Sequence, residues 1–123
     1  MKFVTLIIVG VLIFVSCTYS KKEVDYPATT TCDTVNVKYS TTIKSILNAS
    51  CNRCHGGDGS LGGGYILDTH AGIKDELDNT GDELLNAIKH TGSVTPMPKD
   101  GGKLSDCEIA KIEAWINQGY PNN

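Results

Sequence analysis

The chain has 123 residues, of which 40% are apolar and 20% charged. That length sets a single domain as the expectation, and that balance excludes a disordered chain. The formal charge of −3 gives no reason to propose nucleic acid or an anionic membrane surface as a ligand.

The first sixteen residues differ from the rest. Lys2 supplies a positive start, and Phe3 to Val15 form a thirteen-residue apolar run. As a helix this run reaches only about 20 Å, short of the roughly 30 Å hydrocarbon core. It therefore reads as a cleaved export signal rather than a lasting transmembrane helix. The run ends Phe14-Val15-Ser16-Cys17, a small residue directly before cysteine. This resembles the lipobox of bacterial lipoproteins, with Phe14 where leucine is usual. The resemblance implies a lipidated Cys17 as the first residue of the mature chain. Ordinary signal cleavage nearby is the rival. Removing Lys2, the only charged side chain before Cys17, takes the charge from −3 to −4.

Residues 17–31 are polar and lack any helical or strand period, so they read as a tether. If flexible, they span about 20 Å. The compact domain is expected over 32–123, with at most one short extended piece, near Cys32 to Ser40.

Three helical patterns follow in chain order. Ile43, Ile46, Leu47 and Cys51 share one helical face that runs into the next motif. Thr80 and Glu83 have capping-box spacing, opening a helix that buries Leu84, Leu85 and Ile88 and stops at Gly92. Ser105 and Glu108 repeat that spacing, and Gly119 with Pro121 ends the last helix. Ile109, Ile112, Trp115 and Ile116 form its apolar arc. The segment Thr69 to Leu77 admits a fourth, short helix. The expected class is a small all-α domain, a bundle of three to four helices. Such a core is small and often needs a staple or a cofactor.

Cys51-Asn52-Arg53-Cys54-His55 is C-x-x-C-H. Two thiols at this spacing can add to the two vinyl groups of one haem, and the adjacent imidazole then reaches the iron from the same side. Zinc would need a second ligand pair. Cys32 and Cys107 are single and distant, and His70 and His90 have no ligand-pair spacing. A redox dithiol of the thioredoxin kind needs a βαβ context that is missing. An export signal precedes the motif, and c-type haem is attached outside the cytoplasm.

For the sixth iron ligand, Met97 stands between Pro96 and Pro98. Each proline fixes its own φ and biases its predecessor to extended conformations, which stiffens the loop. A helical core methionine would not sit between two prolines. His70 and His90 compete for the position but read better as surface residues at helix ends.

Cys51 to His55, then Pro96-Met97-Pro98, then the helix from Leu104 to Ile116 together resemble the class I, mono-haem cytochrome c family. The resemblance covers roughly residues 40 to 120. It implies a cytochrome c-like bundle around one covalently bound haem c. The helix of Ile43 to Cys51 should cross that of Ile109 to Ile116, with Trp115 near the haem. Many members have a proline soon after the haem motif whose carbonyl orients the proximal histidine. None occurs here between His55 and Pro96, and a carbonyl within Gly62-Gly63-Gly64 is the expected substitute.

Cys32 and Cys107 remain after lipid and haem have taken the other three cysteines. Cys107 falls roughly opposite Ile109 on the helix, so it is a poor core thiol. In an oxidising compartment a Cys32–Cys107 disulfide is the economical reading. Closing a loop of that length contributes up to roughly 4 kcal/mol on the chain-entropy model.

With Cys51 and Cys54 on haem and His55 and Met97 on iron, no coordination site is open to a substrate. The expected role is one-electron transfer, not enzymatic turnover, with no small-molecule substrate and no nucleic acid. The chain would be exported and lipid-anchored to a bacterial membrane, facing periplasm or exterior. Its partners would be membrane or periplasmic redox proteins. Two rivals stay open: a haem domain with a free sixth site that reduces peroxide or senses gas, and a metal-binding structural module without haem. Lys44, Lys89, Lys99 and Lys103 read as solvated surface, with a docking face as the alternative.

Overall fold

A computed structural model describes residues 31–123. The apolar leader, Cys17 and residues 17–30 of the tether lie outside the described residues.

The domain opens with an extended Lys38 (φ −118°, ψ 144°) and a wide π-type turn, Tyr39–Ile43. Lys38 offers no capping side chain, and a helix start leaves its first N–H groups without partners. The far end of the chain supplies them. Tyr39 N donates to Asn123 Oδ1 and Ser40 N to Asn123 O, both at 2.8 Å. The turn leads into α1 (Lys44–Ser50). The first helix was expected to run through Cys51. Instead Cys51 departs from helical geometry (φ −121°, ψ −43°), and a separate turn, α2 (Asn52–His55), carries the rest of the motif.

A 3₁₀ turn at Ser60–Gly62 interrupts the following loop. Next is α3 (His70–Thr80), capped by Thr69, whose hydroxyl accepts from Gly72 N. This helix is longer than the short piece expected, and it absorbs Thr80. The Thr80 hydroxyl donates to Glu76 O, so Thr80 does not cap the next helix. That helix, α4 (Glu83–Lys89), starts at Asp82 without a side-chain cap. It ends at His90 in the left-handed region (φ 58°), before the expected stop at Gly92. The last helix, α5 (Asp106–Asn117), has both halves of the expected capping box: Glu108 N donates to Ser105 Oγ, and Ser105 N to Glu108 Oε2.

The described residues contain five α-helices and no strand. None of these helices is long and apolar enough to cross a membrane.

Trp115, Ile43, Leu47, Ile73 and Ile112 are the most completely buried side chains. Burying one such aliphatic side chain stabilises the fold by roughly 1.5–3 kcal/mol. The Tyr39–Ile43 turn is the part of the first helical unit that packs on α5. Tyr39 stacks on Trp115 with centroids 5.8 Å apart, and His70 stands edge-on to Tyr39 at 4.9 Å. Trp115 Nε1 donates to Pro121 O, and His70 Nε2 lies 2.9 Å from Tyr120 O. Cys32 faces Cys107, the second residue of α5, with Cα atoms 5.5 Å apart.

Tyr120, Asp78 and Lys74 tie the tail to α3. Tyr120 Oη donates to Asp78 Oδ1 at 2.6 Å, Lys74 donates to Asp78 Oδ2, and Lys74 Nζ stands 5.2 Å from the centre of the Tyr120 ring. The Lys74 ammonium, then the Tyr120 hydroxyl, hold the Asp78 carboxyl below its ordinary value of 3.8. A carboxyl depressed in the folded state adds stability above its unfolded pKa, about 3.9, and that contribution is lost as pH falls through the folded value. In chemical denaturation, the stability gap between wild type and Asp78→Asn should stay constant from pH 8 to 5. It should shrink once the pH drops below about 4.

Candidate functional site

The C-x-x-C-H segment is held by its own short turn. Cys54 N and His55 N both donate to Cys51 O, at 3.1 and 3.0 Å. This winds Cys51, Cys54 and His55 around one carbonyl. The Cys51 thiol is pushed up to about 11 by burial, with a further push from the Glu108 carboxylate. Cys51 lines the cleft beside Ser50 at the end of α1 and Ser105 and Glu108 at the start of α5.

The returning loop grips His55 at two points. Leu67 N donates to His55 O at 2.7 Å, and the imidazole Nδ1 lies 3.3 Å from Tyr65 O. A carbonyl only accepts, so Nδ1 carries the proton and Nε2 keeps its lone pair for a metal. The carbonyl expected from Gly62-Gly63-Gly64 is therefore supplied one residue later, by Tyr65. The glycines make that approach possible. A Cβ on Gly62 would stand 2.4 Å from His55 Nδ1 and 2.8 Å from Cys54 O. Gly59 is buried at φ 67°, where a Cβ would come within 2.9 Å of Tyr65 O.

Cys51, Cys54, His55 and Met97 all line one cleft of about 1170 Å³. The volume exceeds the roughly 300–1,000 Å³ of most small-molecule sites. Leu67, Leu84, Ile88, Val94 and Leu104 give it apolar walls. Exposed Leu61 and Tyr65 also contribute to its lining. Glu76 and Glu83 place carboxyl groups there too. Burial raises the Glu76 carboxyl, the Thr80 hydroxyl opposes this, and Glu83 and Asp75 add to the rise.

Neither competing histidine lines the cleft. His70 belongs to the Tyr39–Trp115 cluster, and His90 bonds to the Met97 backbone. Among the described residues, no three His, Cys, Asp or Glu side chains are grouped as a metal-ion cage. Trp115 also lies outside the cleft lining and packs against Tyr39 and Tyr120. Of the four lysines considered as a docking face, Lys89 pairs with Glu113 at 2.8 Å and Lys103 with Asp106 at 3.4 Å. Lys99 and Lys103 line the cleft, whereas Lys44 and Lys89 do not.

Two thiols, an imidazole with its Nε2 left free and a thioether on one apolar cleft are a donor set suited to haem c. Sequence reasoning missed the Tyr65 carbonyl, because a backbone oxygen leaves no trace in residue identity. Its only signal was the glycine density before it.

Gly62→Ala tests the close approach of the loop to His55. The methyl group must displace the imidazole or the Cys54 carbonyl, at a cost of about 1–3 kcal/mol typical of overpacking. Denaturant unfolding should show that loss. An unchanged midpoint would mean that the loop does not hold His55 this closely.

Among curated proteins and among solved structures, no significant match is found. A family model does match, over residues 40–116, and its description is cytochrome c oxidase, cbb3-type, subunit III. The matched span runs from the Tyr39–Ile43 turn through the C-x-x-C-H motif and the Met97 loop to the end of the α5 apolar arc. The chain therefore belongs to this family of c-type cytochrome domains, electron-transfer modules that carry covalently bound haem c.

Proposed function

We propose that the protein is a one-electron carrier with one haem c, attached through Cys51 and Cys54 and ligated axially by His55 and Met97. The observation that carries this reading is the meeting of all four side chains on one cleft. Haem iron, when bound, accepts and releases a single electron. The chain's own residues decide how. Tyr65 O orients the His55 ring and strengthens its donor character. The Met97 thioether favours the reduced state relative to a second imidazole. The apolar walls push the same way, since the oxidised centre carries more charge in a low-dielectric cleft.

Export, lipid anchoring at Cys17 and a Cys32–Cys107 disulfide complete the proposal. An oxidising compartment accommodates both haem attachment and the disulfide. The described domain starts beside Cys107, so a tether through residues 17–31 would leave from the N-terminal end of α5. Its partners would then be redox proteins in or near the membrane that holds the lipid.

Expression with a haem-attachment system tests the core of this proposal. The intact mass under denaturing conditions should include one haem, and replacing both Cys51 and Cys54 by alanine should remove it. A wild-type mass without haem would overturn covalent attachment. The ferric protein should show the far-red band of methionine-ligated haem, and Met97→Ala should abolish it. A band that survives would give the sixth position to another group. An absent wild-type band would favour the open-site reading, with peroxide reduction or gas binding. In the native oxidised protein Cys32 and Cys107 should resist a thiol probe until a reductant is added.

A further inference from the structure

Both backbone groups of Met97 are tied to the C-terminal end of α4. Met97 N donates to Ala87 O at 3.0 Å, and His90 Nε2 lies 2.9 Å from Met97 O. The carbonyl can only accept, so His90 is the donor and its Nε2 carries the proton. His90 holds this place through an uncommon backbone. It ends α4 in the left-handed region, at φ 58° and ψ 45°, a conformation that disfavours side chains other than glycine. One residue later, Thr91 N donates to Asn86 O and closes the turn. The cap therefore accepts backbone strain and also aims an imidazole at the Met97 peptide.

We propose that His90 is a positioning residue for Met97. The Ala87 carbonyl and the His90 imidazole hold the Met97 main chain at both of its polar groups, and Pro96 and Pro98 restrict the torsions on either side. With its main chain fixed, the side chain lines the cleft that also holds His55. His90 is itself exposed and outside the cleft lining, so it acts through Met97 and not as a ligand. The inference rests on Met97 as the sixth iron ligand, and its test separates the two claims.

The test compares full-length ferric holoproteins. His90→Gly keeps the left-handed cap without strain and removes the donor. His90→Asn also tolerates that backbone, but its shorter amide falls short of Met97 O. His90→Gln restores an N–H on a longer arm. Added imidazole serves as a competitor for the sixth position, read as loss of the far-red band. Loss of one hydrogen bond should let imidazole displace the thioether about tenfold more readily in His90→Gly and His90→Asn. His90→Gln should recover most of the wild-type resistance. The denaturation midpoint of the glycine variant should stay near wild type, because relieved strain offsets the lost bond. Equal imidazole affinity in wild type, His90→Gly and His90→Asn would overturn the role of His90 and leave Met97 ligation standing. A wild-type protein with no far-red band would overturn both.

Discussion

Tyr39 against Trp115 is the contact on which the domain depends. It joins the start of the described chain to its last helix, with ring centroids 5.8 Å apart. Trp115 is fully buried and Tyr39 nearly so. The hydrogen bonds around the stack extend the same closure. Asn123 caps the Tyr39–Ile43 turn, Pro121 accepts from the indole, and Tyr120 accepts from His70. The tail is thus folded back over the aromatic cluster, and it supplies the helix cap that Lys38 does not. Since α1 runs from this turn to Cys51 and α5 begins beside the cleft, fixing the two ends against each other fixes two walls of the site. Trp115 therefore acts from outside the cleft lining. It sets where the walls stand and does not form one of them.

The cleft itself is built from two kinds of support. On the His55 side the support is backbone to backbone and backbone to ring: Leu67 N on His55 O, and Tyr65 O at Nδ1. On the Met97 side it comes from the end of α4, through Ala87 O and His90. In both cases the group expected to touch iron is held by something that does not touch it. A small domain has limited apolar area for rigidity, so these hydrogen bonds do local work that a larger core would do by packing. The Cys32–Cys107 contact and the Tyr120–Asp78–Lys74 cluster supplement the core at the periphery in the same way.

How much was legible in the sequence follows from which of these supports are written in side-chain identity. The Ser105–Glu108 capping box and the buried stripe of Ile109, Ile112 and Trp115 were readable, because both depend on residue type at helical spacing. So was the class of the fold, and with it the haem. Thr80 was misread as a cap, although it fits the same box pattern with Glu83. The polar residues around Leu77, from Lys74 to Asn79, hide the length of α3, which shows the core a narrow stripe of only Ile73 and Leu77. Once α3 extends through Thr80, that hydroxyl turns back to Glu76 and the box cannot form. The break at Cys51 was invisible for a related reason. The apolar face is continuous through it, and only the backbone changes direction.

The glycines after His55 show the limit most clearly. Read from composition, they mark a flexible path around a prosthetic group. In the fold, Gly59 and Gly62 are close-packed positions where even a methyl group would collide with Tyr65 O or with the His55 ring. Gly62 is thus held to glycine by the imidazole pressed against it, whereas Gly57 and Gly64 stand in open space at positive φ. That closeness brings the Tyr65 carbonyl to 3.3 Å from His55 Nδ1. The chain meets the requirement for an acceptor at Nδ1 by removing side chains instead of fixing φ. An acceptor placed in this way depends on the packing of the whole 56–67 segment rather than on one rigid ring. It follows that substitutions several residues from His55 in sequence, at Gly59 or Gly62, should act on the His55 imidazole as directly as changes beside it.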